Sequence, residues 1–200
     1  MGISDDRKNR RRQEILKAAT ALFVKKGFDG TSFNEIAVRA RASKETLYAW
    51  FGSKTGILNA ILRERGDALQ LTIEAEASGG LPEQVLYVLA REVLRTLANT
   101  PVIALFNAAM ASARKHPELR ELVAERISSA PLAAYLEICR GMGLMKFDDA
   151  QQMAMVFGAM VQGDYAVRLS AGMIKGISEE EIEKHARLVT RLFLKCTAPT

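Results

Sequence analysis

Residues 32–58 read SFNEIAVRARASKETLYAWFGSKTGIL, and the fold follows from how this stretch divides. Ser32 with Glu35 makes an S-x-x-E capping box, opening a helix whose apolar side is Ile36, Ala37 and Ala40. Arg41 and Ala42 break that helix, and Ser43 is a second N-cap. The helix it opens, Lys44 to about Trp50, is too short to be stable alone in water and has only Leu47 and Phe51 to hold it. A short helix braced by another, with polar side chains on its first turn, meets the needs of a helix-turn-helix: the second helix lays its N-terminal side chains in the major groove. A further helix begins after Ser53.

On the N-terminal side, Ile15, Ala18, Ala19, Leu22 and Phe23 recur at i, i+3, i+4, i+7 and i+8. They predict a helix from about Lys8 to Lys26, ended by Gly27 with Phe28 as its apolar contact. The net charge of +5 is unevenly spread. Residues 1–65 carry 14 Lys/Arg against 7 Asp/Glu, whereas residues 66–200 carry 14 against 16. A basic first third on a mildly acidic remainder is the pattern of a polyanion reader with a second task elsewhere. Arg7, Lys8, Arg10, Arg11 and Arg12 then form a basic arm beside the phosphates, with a merely solvated terminus as the alternative.

The stretch from Ile15 to Leu62 resembles the DNA-binding domain of TetR-type transcriptional regulators. The resemblance rests on Ile15, Ala19, Leu22, Phe23, Gly27, Thr31, Ser32, Ile36, Ala37, Ala40 and the run SKETLYAWFGSK followed by Leu58. Arg41 stands where the family has a turn glycine, and Trp50 where His or Tyr is common.

Lys44, Glu45 and Thr46 open the reading helix and should face base edges, a lysine favouring guanine O6/N7 and a glutamate accepting from cytosine N4. Asn34, on the first turn of the bracing helix, is also within reach of a base. The resemblance implies phosphate contacts from Tyr48, Trp50 and Lys54, with Lys54 at a helix N-terminus whose dipole favours an anion. Ser32 is expected to cap and touch phosphate at once. Core packing of the small domain is the alternative for Tyr48 and Trp50.

The rest of the chain reads as helices throughout, so an all-α fold of about nine helices is expected: a three-helix DNA-binding domain (1–53) and a larger helical domain (54–200). Helix 4, about 54–77, bridges the two and ends at Ser78-Gly79-Gly80. Pro82, Pro101 and Pro117 each fit a first helical position and predict helices over 81–99, 101–115 and 117–141, the last kinked at Pro131. Another follows Phe147-Asp148-Asp149 to about Gly172. A second capping box, Ser178 with Glu181, opens the last helix, to about Cys196.

Met153 to Val161 is apolar without interruption, and Ala154, Gly158, Ala159, Gly163 and Ala166 are small. The final helix has a wide apolar stripe of Ile182, Ala186, Val189, Phe193 and Cys196, broadened by Leu188 and Leu192. Two helices with so much apolar surface predict a homodimer through about 148–172 and 178–196, as the resemblance also implies; an internal helix pair in a monomer is the alternative. Asp164 and Arg168 can pair at i, i+4, in a buried pair or a dimer contact, with a ligand contact as the alternative.

In TetR-type regulators the second domain encloses a small-molecule pocket. Phe106, Met110, Tyr135, Met160 and Tyr165 are the candidates to line one here, each alternatively a core residue. His116-Pro117-Glu118-Leu119 with Gly163-Asp164 is loosely similar to one C-terminal subgroup of the family.

No cofactor, metal site or catalytic cluster is expected. His116 and His185 lack companions at ligand spacing, and no P-loop, GxGxxG or nucleophile elbow occurs. The absence of an apolar run of about 18 residues predicts no membrane span. Without a secretory signal, and with only Cys139 and Cys196 far apart, a reduced cytoplasmic protein with both thiols in the core is expected. The functional expectation is a DNA-binding regulator, a repressor released from operator DNA by a small apolar or amphipathic effector. The alternatives are a DNA-binding homodimer without an effector and a helical enzyme carrying a head domain.

Overall fold

The computed structural model describes residues 3–63, 81–126 and 129–199. Among them it contains helices and no strand: α1 (Ile3–Lys26), α2 (Phe33–Ala40), α3 (Lys44–Phe51), α4 (54–63, as far as described), α5 (Pro82–Ala98), α6 (Thr100–Ser112), α7 (Pro117–Arg126), α8 (Ala130–Gly141), α9 (Ala150–Gln162), α10 (Tyr165–Ser170) and α11 (Glu179–Cys196). The expected continuation of helix 4 to Ala77 and the break at Ser78-Gly79-Gly80 lie outside the described residues.

Five of the described starts, those of α2, α3, α4, α9 and α11, follow from a local side-chain cap. Ser32 and Ser178 both form complete capping boxes, with Glu35 and Glu181. Ser43 accepts from the Thr46 amide at 3.1 Å, Ser53 from Gly56 at 3.0 Å and Asp149 from Gln152 at 3.0 Å.

Two expected helices are each split. The 117–141 helix is α7 and α8, and Pro131 sits in the first turn of α8, where a missing amide costs nothing, instead of kinking a helix interior. The 148–172 helix is α9 and α10. Gly163 ends α9 at φ 50, ψ −134, a conformation open essentially to glycine alone.

The helices pack as two units. The first comprises Met1–Glu64 and Ala104–Arg126, the second Arg65–Ile103 and Ile127–Thr200. This division is one of packing, whereas the boundary expected at residue 53 is one of task.

In the first unit α1 packs on α2 and α2 on α3. Its core holds Ile15, Leu16, Ala19 and Phe23 of α1, Ile36 and Ala37 of α2, Leu47 of α3 and Ile57 and Leu58 of α4, joined by Leu105 and Ala109 of α6 and Leu119 and Leu122 of α7. Leu47 has no solvent exposure. It is the one buried residue of α3, so truncating it to alanine should cost about 2–5 kcal/mol and release that helix.

In the second unit α5 packs on α9 and α11, and α8 on α9. Phe157 of α9 meets Phe193 of α11 edge-on at 5.0 Å in the middle of its core. Of the expected α11 stripe, Ile182, Ala186, Val189 and Phe193 are buried. Cys196 is exposed and so is not core filling, in contrast to the buried Cys139. Asp164 and Arg168 pair at 3.6 Å across a half-exposed and an exposed side chain, not a buried one. Among the described residues no single helix is long and apolar enough to cross a membrane.

Candidate nucleic-acid interface

The turn between α2 and α3 decides how α3 is presented. Arg41 is left-handed at φ 52, ψ 37. Its amide donates to Val38 O at 3.1 Å, and the Ala42 amide to Ala37 O at 2.9 Å. That is a Schellman closure, with arginine where glycine is usual. The Arg11 guanidinium donates to the Arg41 carbonyl at 2.5 Å and is itself held by Glu14 at 2.6 Å.

From this turn α3 buries Leu47 and turns Lys44, Glu45 and Tyr48 outward, with Tyr48 57% exposed. The ring of Tyr48 leans on Phe33 of α2, centroids 4.4 Å apart, which fixes where its hydroxyl can point. Phe33 was missed in the sequence. It stands at i relative to Ile36, Ala37 and Ala40, so the same helical period had room for it.

The polar groups near α3 are partly engaged already. Thr46 is half-buried, its hydroxyl 3.0 Å from Ser43 Oγ. The Glu45 carboxyl is held below its ordinary range by its own backbone amide and then by the Ser43 hydroxyl. Asn34 is exposed on the first turn of α2. Trp50 is half-buried against the first core, edge-on to Phe51 at 6.5 Å.

The chain from Gly27 to Thr31 supports the start of α2. Thr31 is buried, and its hydroxyl donates to Gly27 O at 2.8 Å. Lys54 donates to Phe28 O at 2.7 Å and to Thr31 O at 2.9 Å, with its ammonium 4.2 Å from the Phe28 ring centroid. Three carbonyls of the loop are thereby satisfied. Burial pushes the Lys54 ammonium below its ordinary range. Lys54 is therefore first a half-buried strut and only then a cation for an outside anion, which its position in the sequence did not reveal.

A recess of about 260 Å³ opens between Thr31–Phe33, Tyr48 and Gly52–Lys54. The N-termini of α2 and α4 both border it, and their partial positive charge favours an anion there. The Ser32 hydroxyl gives its single proton to Glu35 at 2.9 Å. A phosphate contact through that hydroxyl requires the proton to be redirected. Glu35 is held down at about 2 by Lys26 first and by the Ser32 amide and hydroxyl next.

Of the candidate effector residues, Phe106 and Met110 belong to the first unit and Tyr135, Met160 and Tyr165 to the second. Phe106 is half-buried against the first core, and Met110 is exposed. Tyr135 is buried in the second core, where burial and the neighbouring Cys139 raise its phenol well above the ordinary range. Met160 and Tyr165 are half-buried at that core's edge. His185 stands 5.2 Å edge-on to Tyr165, with its Nε2 3.0 Å from Met160 O. Among the described residues no group of His, Cys, Asp and Glu could hold a metal.

Two family models match the chain. Residues 15–61 match the bacterial regulatory proteins of the tetR family, and residues 84–198 match the C-terminal domain of AefR-like transcriptional repressors. The HTH-type transcriptional regulator YvkB of Bacillus subtilis is 25% identical over 198 residues, covering 92% of this chain and 95% of its own. The repressor Rv3405c of Mycobacterium tuberculosis is 34% identical over 84 residues, 40% of this chain and 45% of that protein. A TetR-family regulator of Mesorhizobium loti superimposes with a TM-score of 0.77 at 27% identity, covering 96% of this chain and 98% of its own. The flavonoid-responsive regulator FrrA does so with 0.72 at 29% identity and the same coverage.

Proposed function

The chain belongs to the TetR family of transcriptional regulators, and from that premise we propose that it is a homodimeric, cytoplasmic repressor that reads an inverted repeat in duplex DNA and leaves it on binding a small amphipathic effector. One observation carries the DNA-reading part: α3 has eight residues, one buried side chain, and Lys44, Glu45 and Tyr48 on its open side. Lys44 reads a guanine edge, while Asn34 and Glu45 supply further base contacts. Tyr48, Ser32, Lys54 and the helix starts around the recess hold one phosphate, and Trp50 supplies a further phosphate contact.

For the dimer, Met155 and Val156 on α9 and Leu188 and Leu192 on α11 leave an apolar strip open on the last two long helices. An isologous pairing of that strip joins two copies of α3 in one molecule. Effector release draws support from the flavonoid-responsive relative and from Met160 and Tyr165 at the edge of the second core.

A second reading, a DNA-binding dimer with no effector, is favoured by Tyr135, which is packed into the core. A thermal-shift screen with hydrophobic and polyphenolic compounds separates the two. The main test is selection from random duplex DNA by the purified protein. An inverted repeat whose half-site centres lie about 34–36 Å apart, or a multiple of it, is expected. Recovery of no sequence, or of single half-sites by a monomer, would overturn the proposal.

A further inference from the structure

Arg11 lies in the basic arm, where position alone makes it one more phosphate contact, yet its guanidinium faces the protein. One nitrogen donates to Glu14 Oε2 at 2.6 Å, and the other to the Arg41 carbonyl, thirty residues away, at 2.5 Å. The planar fork lets a single side chain hold a carboxylate on its own helix and a carbonyl on another at fixed geometry.

The carbonyl it holds belongs to the only non-glycine residue with positive φ among the described residues. A side chain in that conformation crowds its own backbone, and only surrounding contacts keep it there. Two residues further on, Ser43 caps α3, so a rotation of the peptide after Arg41 swings the start of α3 with it. The neighbouring Arg12 lies over the Phe51 ring, 5.5 Å from its centroid, at the other end of α3. Consecutive arginines of α1 thus bear on both ends of the presented helix.

We propose that Arg11 is a positioning residue for α3: it braces the left-handed turn through the Arg41 carbonyl and so aims Lys44 and Glu45, doing for this chain what a turn glycine does without help. This rests on the reading of α3 as the DNA-reading helix. Glu14 is part of the same device, because it orients the fork. Arg11 then contributes to DNA affinity through the protein, with no phosphate partner of its own.

Two measurements on the full chain test this. Amide hydrogen exchange over residues 41–46 needs no DNA. Affinity for a duplex recovered from random sequence by the wild-type protein is read at two salt concentrations. Arg11→Ala should speed exchange at 41–46 and weaken binding about three- to tenfold, the size of one net hydrogen bond, with an unchanged salt slope. Arg11→Lys keeps the charge without the fork and should behave like Arg11→Ala. In an Arg41→Gly background both effects should largely vanish, because glycine holds the turn unbraced.

Wild-type exchange in Arg11→Ala overturns the proposal. A salt slope reduced by about one ion per head does so too, since it marks a phosphate contact. So does an undiminished effect beside Arg41→Gly. If the wild-type protein recovers no sequence, the DNA-reading assignment falls, and the exchange measurement alone decides the brace.

Discussion

His116 Nε2 lies 2.8 Å from Asp29 Oδ1, tying the start of α7 to the loop that follows α1. The imidazole also meets the Phe28 ring edge-on at 5.3 Å, and Lys115 Nζ is 3.7 Å from the other Asp29 oxygen. Asp29 is held below its ordinary range, chiefly by the His116 hydrogen bond. The loop that carries Thr31 and leads into α2 is therefore gripped twice, by Lys54 through its carbonyls and by His116 through Asp29. A change at the start of α7 thus has a direct path to the recess beside Ser32. Removing either partner, as Asp29→Asn or His116→Ala, should speed amide exchange over residues 28–31, and the double variant should do little more than either single one. Additive effects would show that the two side chains act separately.

Arg41→Gly is predicted to stabilise the protein by about 0.5–1 kcal/mol, since a left-handed arginine carries a steric cost that glycine does not. Denaturant unfolding compares the two proteins. A loss of stability would mean that the Arg41 side chain makes a contact worth more than the strain.

Acid should loosen the start of α2 late. The Glu35 carboxyl is lowered from 4.5 to about 2 by Lys26 and Ser32. A carboxyl lowered in the folded state stabilises fully above its unfolded value and loses that contribution as pH falls through the folded one. The Glu35 contribution should thus be whole above pH 4.5 and fade towards pH 2. In Glu35→Gln the difference from wild type should shrink over that window and stay constant above it, as an acid titration of unfolding will reveal.

Gly163→Ala should destabilise by roughly 1–3 kcal/mol, because φ 50, ψ −134 is closed to a side chain. The nearest group to an added Cβ is the His185 ring at 3.7 Å, an ordinary contact. The penalty is therefore in the backbone and should appear equally at all protein concentrations. Leu192→Glu should do the opposite, lowering association in sedimentation and leaving the monomer's own helices intact. A concentration-dependent loss in Gly163→Ala would place that residue in the interface after all.

The helix starts were legible because caps are local: Ser32 with Glu35, Ser43, and Ser178 with Glu181 declare themselves within four residues. The breaks were less so. Pro131 fits a kink or a first turn equally well until its neighbours are placed, and the apolar run of α9 hid the stop at Gly163. The side chains of α3 were readable from its cap and from Leu47. What escaped were partnerships across long sequence separations: Lys54 to Phe28 and Thr31, Arg11 to Arg41, His116 to Asp29. Each joins groups that the sequence separates by more than twenty residues, and no period or spacing encodes them. Lys54 in consequence looked like a free cation, and Arg11 like one more phosphate contact of the basic arm.

The most direct test of the DNA-reading account is binding of wild type, Lys44→Ala and Tyr48→Phe to a panel of single-base variants of the selected duplex at fixed salt. Lys44→Ala should change the preferred base at one position of each half-site, altering discrimination there by about 1–3 kcal/mol, and leave the other positions as they were. Tyr48→Phe, whose ring is set by Phe33 and whose hydroxyl faces a phosphate in this account, should weaken all sequences about equally. Base preferences that survive Lys44→Ala and shift with Tyr48→Phe would contradict it.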